Sequence, residues 1–273
     1  MPEKPEVITV KNTLKKQILG KKITQCNVYW DNIIAFPSSS EFKKRVINQV
    51  IHDITTRGKF LVFTLEKDIL LIHLRMEGKF VFRDKGQELG KHEHVEFILD
   101  NKISFRFHDV RKFGKMYLLD KDSAYRQKPL SELGLEYDDN NLTKEYLYSK
   151  LNSKNLPIKT VLLDQTIITG IGNIYDDEIL FMSKISPYRR ARDISLNEAQ
   201  AIIDNCRIVM EKAISLGGTT IKSFTSSEGV HGLFQNELLV HGKDKEDCPI
   251  CSEPIKKVKI GGRGTYYCEN CQK

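Results

Sequence analysis

Tryptophan occurs once in these 273 residues and proline eight times, and no apolar run approaches the roughly 18 residues that a membrane-spanning helix requires. The opening residues are polar and lack the apolar stretch of a secretory signal. Both absences weigh against a membrane partner or an export route, so a cytoplasmic protein is expected. Internal repeats and low-complexity tracts are missing too, which argues against solenoids and disordered arrays. An acidic surplus is also lacking. Lysine and arginine number 43 against 36 aspartates and glutamates, and the net charge of +7 favours a polyanionic partner over an acidic or neutral one.

What is present suffices for folded domains: 40% of the residues are apolar, and the length reaches two of them. Pro5, Val7, Val10, Leu14 and Ile18 fall at helical spacing, with a proline near the first helical position and Gly20 as a stop. From about Lys22 to Leu119 the text turns to short β-branched and aromatic runs: Phe60 to Phe63, Ile69 to His73, Phe80 to Phe82, Val95 to Leu99 and Ile103 to Phe107. With turn residues at Asp100-Asn101 they predict an antiparallel β-sandwich. A polar stretch, Asp138 to Asn141, precedes a switch to helical period. Leu142, Tyr146, Leu147 and Leu151 then share one face, Pro157 and the turn Thr169 to Asn173 follow, and Ser195 with Glu198 caps a long helix that Gly217-Gly218 ends. Thr219 to Asn236 has neither period and reads as a long functional loop. The expected divisions are residues 1–132, a linker at 133–141, a helical domain at 142–240 carrying the loop at about 219–236, and a terminal hairpin at 241–273.

Chemistry concentrates at the two ends. Cys248-x-x-Cys251 and Cys268-x-x-Cys271 have the spacing of four thiolates closing a tetrahedron around one structural zinc ion. Gly261-Gly262 between them suits a tight hairpin turn, and Lys256, Lys257, Lys259 and Arg263 line that hairpin with charge fit for phosphates. Cys26 and Cys206 lie in apolar-periodic segments and read as buried structural thiols. At the other end, a small residue after Met1 permits removal of the initiator methionine, which frees the secondary amine of Pro2. Such an α-amino group has a pKa of about 7.7–8.0, so an appreciable fraction is nucleophilic near neutral pH. Met76, Arg111 and Phe113 stand at strand ends, where an apolar wedge beside an arginine suits base extrusion.

Taken together, these blocks resemble the formamidopyrimidine-DNA glycosylase and endonuclease VIII family from end to end. They are Pro2-Glu3 with Pro5-Glu6, Arg57-Gly58-Lys59, His73-Leu74-Arg75-Met76-Glu77-Gly78, Asp109-Val110-Arg111-Lys112-Phe113-Gly114, Leu163-Asp164-Gln165 through Gly172-Asn173-Ile174-Tyr175, and the terminal zinc ribbon with Arg263. The resemblance implies an α+β protein of two domains: an N-terminal antiparallel β-sandwich with flanking helices, and a C-terminal helix-two-turn-helix bundle plus a zinc-ribbon hairpin, clamping DNA in a cleft. It implies a monomer whose partner is double-stranded DNA containing oxidised bases or abasic sites.

By the same resemblance, Pro2 attacks the sugar and Glu3 is the acid and base, with Lys59 counted beside them in the catalytic set and also similar to a phosphate ligand. His73, Asn173 and Arg263 resemble further phosphate ligands. Met76, Arg111 and Phe113 resemble the residues that fill the gap, Lys159 one that reaches the damaged nucleotide, and the loop after Thr219 one that covers the everted base. A Schiff base on Pro2 followed by β,δ-elimination is the implied course. The blocks at His73 and Asp109 look closer to the oxidised-purine branch, so 8-oxoguanine and formamidopyrimidines are the expected lesions. Lys4, Ile8 and Leu135 depart from that branch, and the charge of Lys4 beside the reactive end bears on substrate choice. The alternatives are an endonuclease VIII-like glycosylase for oxidised pyrimidines, a non-catalytic zinc-ribbon DNA binder and a zinc-stapled protein-interaction module.

Overall fold

Val7, Val10, Leu14 and Ile18 recur every three or four residues and are all sealed from solvent, which is why Lys4–Ile18 forms an amphipathic helix, α1. It opens the first of two units into which the chain divides, Met1–Ser131 with Gly217–Gly232; the second is Glu132–Leu216 with Leu233–Lys273. The computed structural model describes residues 1–219 and 232–273. Most of the loop expected at about 219–236 therefore lies outside the described residues.

In the first unit the strands are β1 (Ile23–Val28), β2 (Ile34–Phe36), β3 (Asp53–Arg57), β4 (Phe60–Thr64), β5 (Asp68–His73), β6 (Lys79–Asp84), β7 (Glu93–Leu99), β8 (Ile103–His108) and β9 (Lys115–Asp120). They form a four-stranded sheet, β1-β7-β8-β6, and a five-stranded sheet, β2-β9-β5-β4-β3. Every pairing is antiparallel except β2 with β9, a parallel contact at the edge of the second sheet. The sheets share one core, in which Phe63 of one meets Phe80 of the other at 6.4 Å and Phe80 stacks on Phe105 at 4.3 Å. Asp100 and Asn101 both take positive φ, 50° and 58°, and turn β7 into β8.

One helix interrupts the expected run of strands. Ser38 accepts the Glu41 N–H at 3.3 Å and starts α2 (Ser39–Val46), which buries only Phe42 and Val46. Two apolar positions in eight residues are too few to announce a period, so the cap was the sole local signal.

The sandwich also holds a buried cation. Arg106 on β8, 2% exposed, bonds Glu93 at 2.7 Å and Glu96 at 3.0 Å, and donates to the Glu88 carbonyl at 2.8 Å and to that of Gln87. A strand guanidinium thereby pins the connection between β6 and β7.

The second unit contains α3 (Lys144–Leu151), α4 (Ile158–Leu162), α5 (Asn173–Met182), α6 (Leu196–Ser215) and the hairpin β10 (Lys256–Ile260) with β11 (Arg263–Tyr267). The Ser195–Glu198 capping box is present at the head of α6. Helix α5 is buried all round from Ile174 to Phe181 and serves as the central post of this core. Gly261 and Gly262, at φ 56° and 79°, make the hairpin turn. Among the described residues no helix is long and apolar enough to cross a membrane.

Replacing Arg106 with methionine removes the guanidinium that two buried carboxylates share and is expected to destabilise the protein by about 3–5 kcal/mol in urea unfolding, whereas Lys102→Ala on the surface should stay within about 0.5 kcal/mol.

Candidate active site and metal centre

The start of the chain is a held structure. Pro2 and Glu3 are both buried, and Glu3 is extended at φ −100° immediately before α1. Glu6, in the first helical turn, receives the Glu3 N–H on Oε2 at 2.8 Å, half of a capping box. Its other oxygen, Oε1, accepts the Thr219 N–H at 2.7 Å and the Thr219 hydroxyl at 3.1 Å. Gly218 makes this approach possible: its φ is 79°, and a Cβ there would stand 2.5 Å from Glu6 Oε1. Lys4, the first residue of α1, is buried as well.

Lys59 forms the tip of the β3–β4 hairpin with Gly58, which adopts φ 52°, and its side chain is largely buried. His73 closes β5. Its Nδ1 accepts the Arg75 N–H at 3.0 Å, so the ring's own hydrogen sits on Nε2. Burial, then the positive charges of Arg75 and Lys59, push its pKa down to about 3, and the ring is a neutral donor at physiological pH. Arg75, at φ 55°, carries the chain into the turn that holds half-buried Met76.

The β8–β9 loop presents Arg111 and Phe113. Asp109, fully buried, accepts the Arg111 N–H at 3.1 Å and the Gly114 N–H at 2.7 Å, which folds the loop back on itself. Phe113 is left half exposed, and the Arg111 guanidinium lies 4.8 Å over its ring. This arrangement offers a flat apolar tip with a planar cation on one face.

In the second unit Lys159 departs from expectation. It is 0% exposed, bonding Asp177 at 2.6 Å, the Asn173 carbonyl at 3.1 Å and Asp176 at 3.4 Å. Burial alone would lower its pKa, but the two carboxylates outweigh it and hold the ammonium above its ordinary value. Lys159 is thus enclosed in the helical core, its ammonium turned toward α5. Asn173 and Arg263 do meet in one locality: the Asn173 side-chain amide donates to the Gly264 carbonyl at 2.8 Å, beside exposed Arg263.

Asp177 also takes His241 Nδ1 at 2.6 Å, while the neighbouring Glu178 accepts three consecutive backbone N–H groups, those of Leu239, Val240 and His241, at 2.7–3.0 Å. These bonds tie the segment that leads to the zinc ribbon onto α5. Sequence reasoning missed Asp176, Asp177, Glu178 and His241; the signal available was a run of three acids inside an otherwise apolar helix.

The four cysteines converge as their spacing predicts. All ligand sulfurs lie within 4.8 Å of one another, with Cys248 to Cys271 at 3.8 Å and Cys251 to Cys268 at 3.5 Å. A tetrahedron with zinc–sulfur bonds of about 2.3 Å has edges of about 3.8 Å, so the donor set fits one structural zinc ion. Held there, the ion would fix the two knuckles that carry β10 and β11.

Comparison with known proteins covers the same regions. Residues 1–116 match the formamidopyrimidine-DNA glycosylase N-terminal domain, 133–225 the H2TH domain of the same enzymes, and 245–273 the zinc finger found in FPG and IleRS. The chain is 42% identical over 273 residues to the formamidopyrimidine-DNA glycosylase of Oceanobacillus iheyensis, covering 100% of this chain and 98% of that one. Among solved structures it is similar to Lactococcus lactis Fpg bound to abasic-site DNA, with TM-score 0.92, 34% identity and 99% of both chains covered. A Lactococcus lactis mutant bound to Fapy-dG DNA gives 0.93 at 33% identity over the whole of both chains. The wild-type protein bound to DNA with an oxidised pyrimidine gives 0.91 at 33%, again over the whole of both chains.

Two outcomes follow from the ionisable groups. His73 has a folded-state pKa of about 3, below its unfolded value, so the unfolded chain binds the extra proton and this ring's contribution is lost as pH falls. Between pH 7 and pH 5 the loss is about 2 kcal/mol, and urea unfolding of His73→Gln should lack that part of the slope. Lys159→Met removes the ammonium that two buried acids share and should cost about 3–5 kcal/mol in stability, while DNA affinity of the folded fraction, read by anisotropy, stays unchanged.

Proposed function

This chain belongs to the formamidopyrimidine-DNA glycosylase family, is a DNA glycosylase of base excision repair, and, we propose, acts on oxidised purines in duplex DNA through the amine of Pro2. The observation that carries the proposal is the anchored chain start, where Pro2 and Glu3 sit buried with the Glu3 amide on the Glu6 carboxylate.

Once Met1 is removed, the Pro2 nitrogen bonds to C1′ of the damaged nucleotide and the glycosidic bond breaks. The departing base takes a proton, for which Glu3 is the donor. The nitrogen then loses its proton, and the C1′–O4′ bond breaks as O4′ takes one up, which opens the sugar and leaves an iminium between Pro2 and C1′; the iminium acidifies C2′, and a base removes that proton as the 3′ phosphate leaves. Loss of the 5′ phosphate follows by δ-elimination, leaving a one-nucleotide gap. Lys59 and neutral His73 supply donors to the backbone around the lesion in this reading, as do Asn173 and Arg263 from the second unit, while Met76, Arg111 and Phe113 occupy the vacated stack. Such contacts give position and salt-dependent affinity without sequence preference.

We further assign residues 1–132 to catalysis, 142–240 with the loop at about 219–236 to lesion recognition, and 241–273 to the zinc ribbon, in a monomer working in the cytoplasm. Oxidised pyrimidines are the second reading, favoured by the similar Lactococcus lactis protein having been solved on DNA that contains one.

Borohydride trapping on a duplex carrying one 8-oxoguanine tests the mechanism. Processed protein should give a covalent adduct, and protein with extra residues ahead of Pro2 should give none. Equal trapping by both would place the nucleophile on another amine.

A further inference from the structure

Trp30 is the single tryptophan of the chain and stands 37% exposed between β1 and β2. Over its ring, 4.0 Å from the centroid, lies the Lys112 ammonium. Lys112 belongs to the β8–β9 loop and holds the left-handed conformation there, φ 58°, between Arg111 and Phe113. Beyond Phe113, the Lys115 ammonium donates to the Asn32 carbonyl. Two lysines flanking the exposed phenylalanine thus rest on the same short segment, residues 30–32.

That segment is itself braced. The Tyr29 N–H donates to the His94 carbonyl at 2.8 Å, and the Tyr29 hydroxyl to Glu96 at 2.9 Å. His94 in turn donates from Nε2 to the Asp109 carbonyl at 2.9 Å, at the other foot of the loop. Asp109 holds the loop backbone through the Arg111 and Gly114 amides, and its carbonyl takes the Lys112 N–H at 3.4 Å, a long bond for a residue in a backbone conformation unfavourable to side chains with a Cβ; none of these bonds reaches the exposed Lys112 side chain. The indole face adds a restraint on the side chain.

We propose that Trp30 is a positioning residue for the wedge: by holding Lys112 in a cation–π contact it keeps Arg111 and Phe113 presented to the duplex. The proposal rests on reading Phe113 as the residue that fills the vacated stack. A contact of this kind is worth about a fivefold change in an equilibrium constant.

The test measures affinity by anisotropy for a duplex with a tetrahydrofuran abasic analogue and for the corresponding single strand, using the full chain and Phe113→Ala, Trp30→Ala, Trp30→Phe and Lys112→Arg variants. Phe113→Ala should weaken duplex binding. Trp30→Ala should weaken it about fivefold while melting temperature and single-strand affinity hold, and Trp30→Phe and Lys112→Arg, which keep a ring or a cation, should recover most of the loss. If Phe113→Ala weakens binding and Trp30→Ala does not, the positioning role is wrong. If Trp30→Ala lowers duplex and single-strand affinity equally, Trp30 touches DNA itself and the proposal also fails. If Phe113→Ala has no effect, it is the wedge reading that falls.

Discussion

A carboxylate that has been taken out of water must find donors, and the Glu6 side chain finds them at both ends of the sequence. One oxygen holds the amide of Glu3 and the other holds Thr219, 213 residues away in the chain. Because the group is 4% exposed, each of these bonds replaces hydration that the carboxylate has given up. The position of the first residues is therefore not a matter of a frayed terminus settling where it can. This acid holds Glu3, and with it the adjoining Pro2, in one place, and the glycine at 218 is there because nothing larger fits against it.

The same rule organises the rest of the interior. Arg106 with Glu93 and Glu96, and Lys159 with Asp176, Asp177 and, through Asp177, His241, are buried ionic groups that join a regular element to a connection lacking regular structure of its own. Apolar contacts would give comparable stability but little direction, whereas a fork of hydrogen bonds admits few geometries. Glu178 makes the point most clearly, since its three donors are successive backbone amides that only one path of the chain can present.

Legibility in the sequence followed the range of the interaction. Helix α1, five of the strands, the capped start of α6 and the zinc hairpin each carry a local signature, a period, a cap residue or a cysteine pair, and each is present. Helix α2 was hidden by having only two buried apolar residues. The bond of Glu6 to Thr219 and the ion pairs and carboxylate bonds of Arg106, Asp177 and Glu178 were invisible because they span 10 to 213 residues and no pattern of spacing links their ends. Lys159 was legible only through the family resemblance, as a residue reaching the nucleotide; that two neighbouring acids on α5 hold its ammonium in the core had no signal in its own neighbourhood of the sequence.

The fixed tautomer of His73 has a bearing on how such a protein travels along DNA. Lysine and arginine displace condensed cations from the polymer when they meet a phosphate, and each such displacement adds to the steepness with which affinity falls as ionic strength rises. An uncharged imidazole offering only Nε2–H displaces none. Set against a phosphate, as proposed above, it would mark where the strand lies without tightening the grip on every undamaged stretch, leaving a searching molecule free to let go.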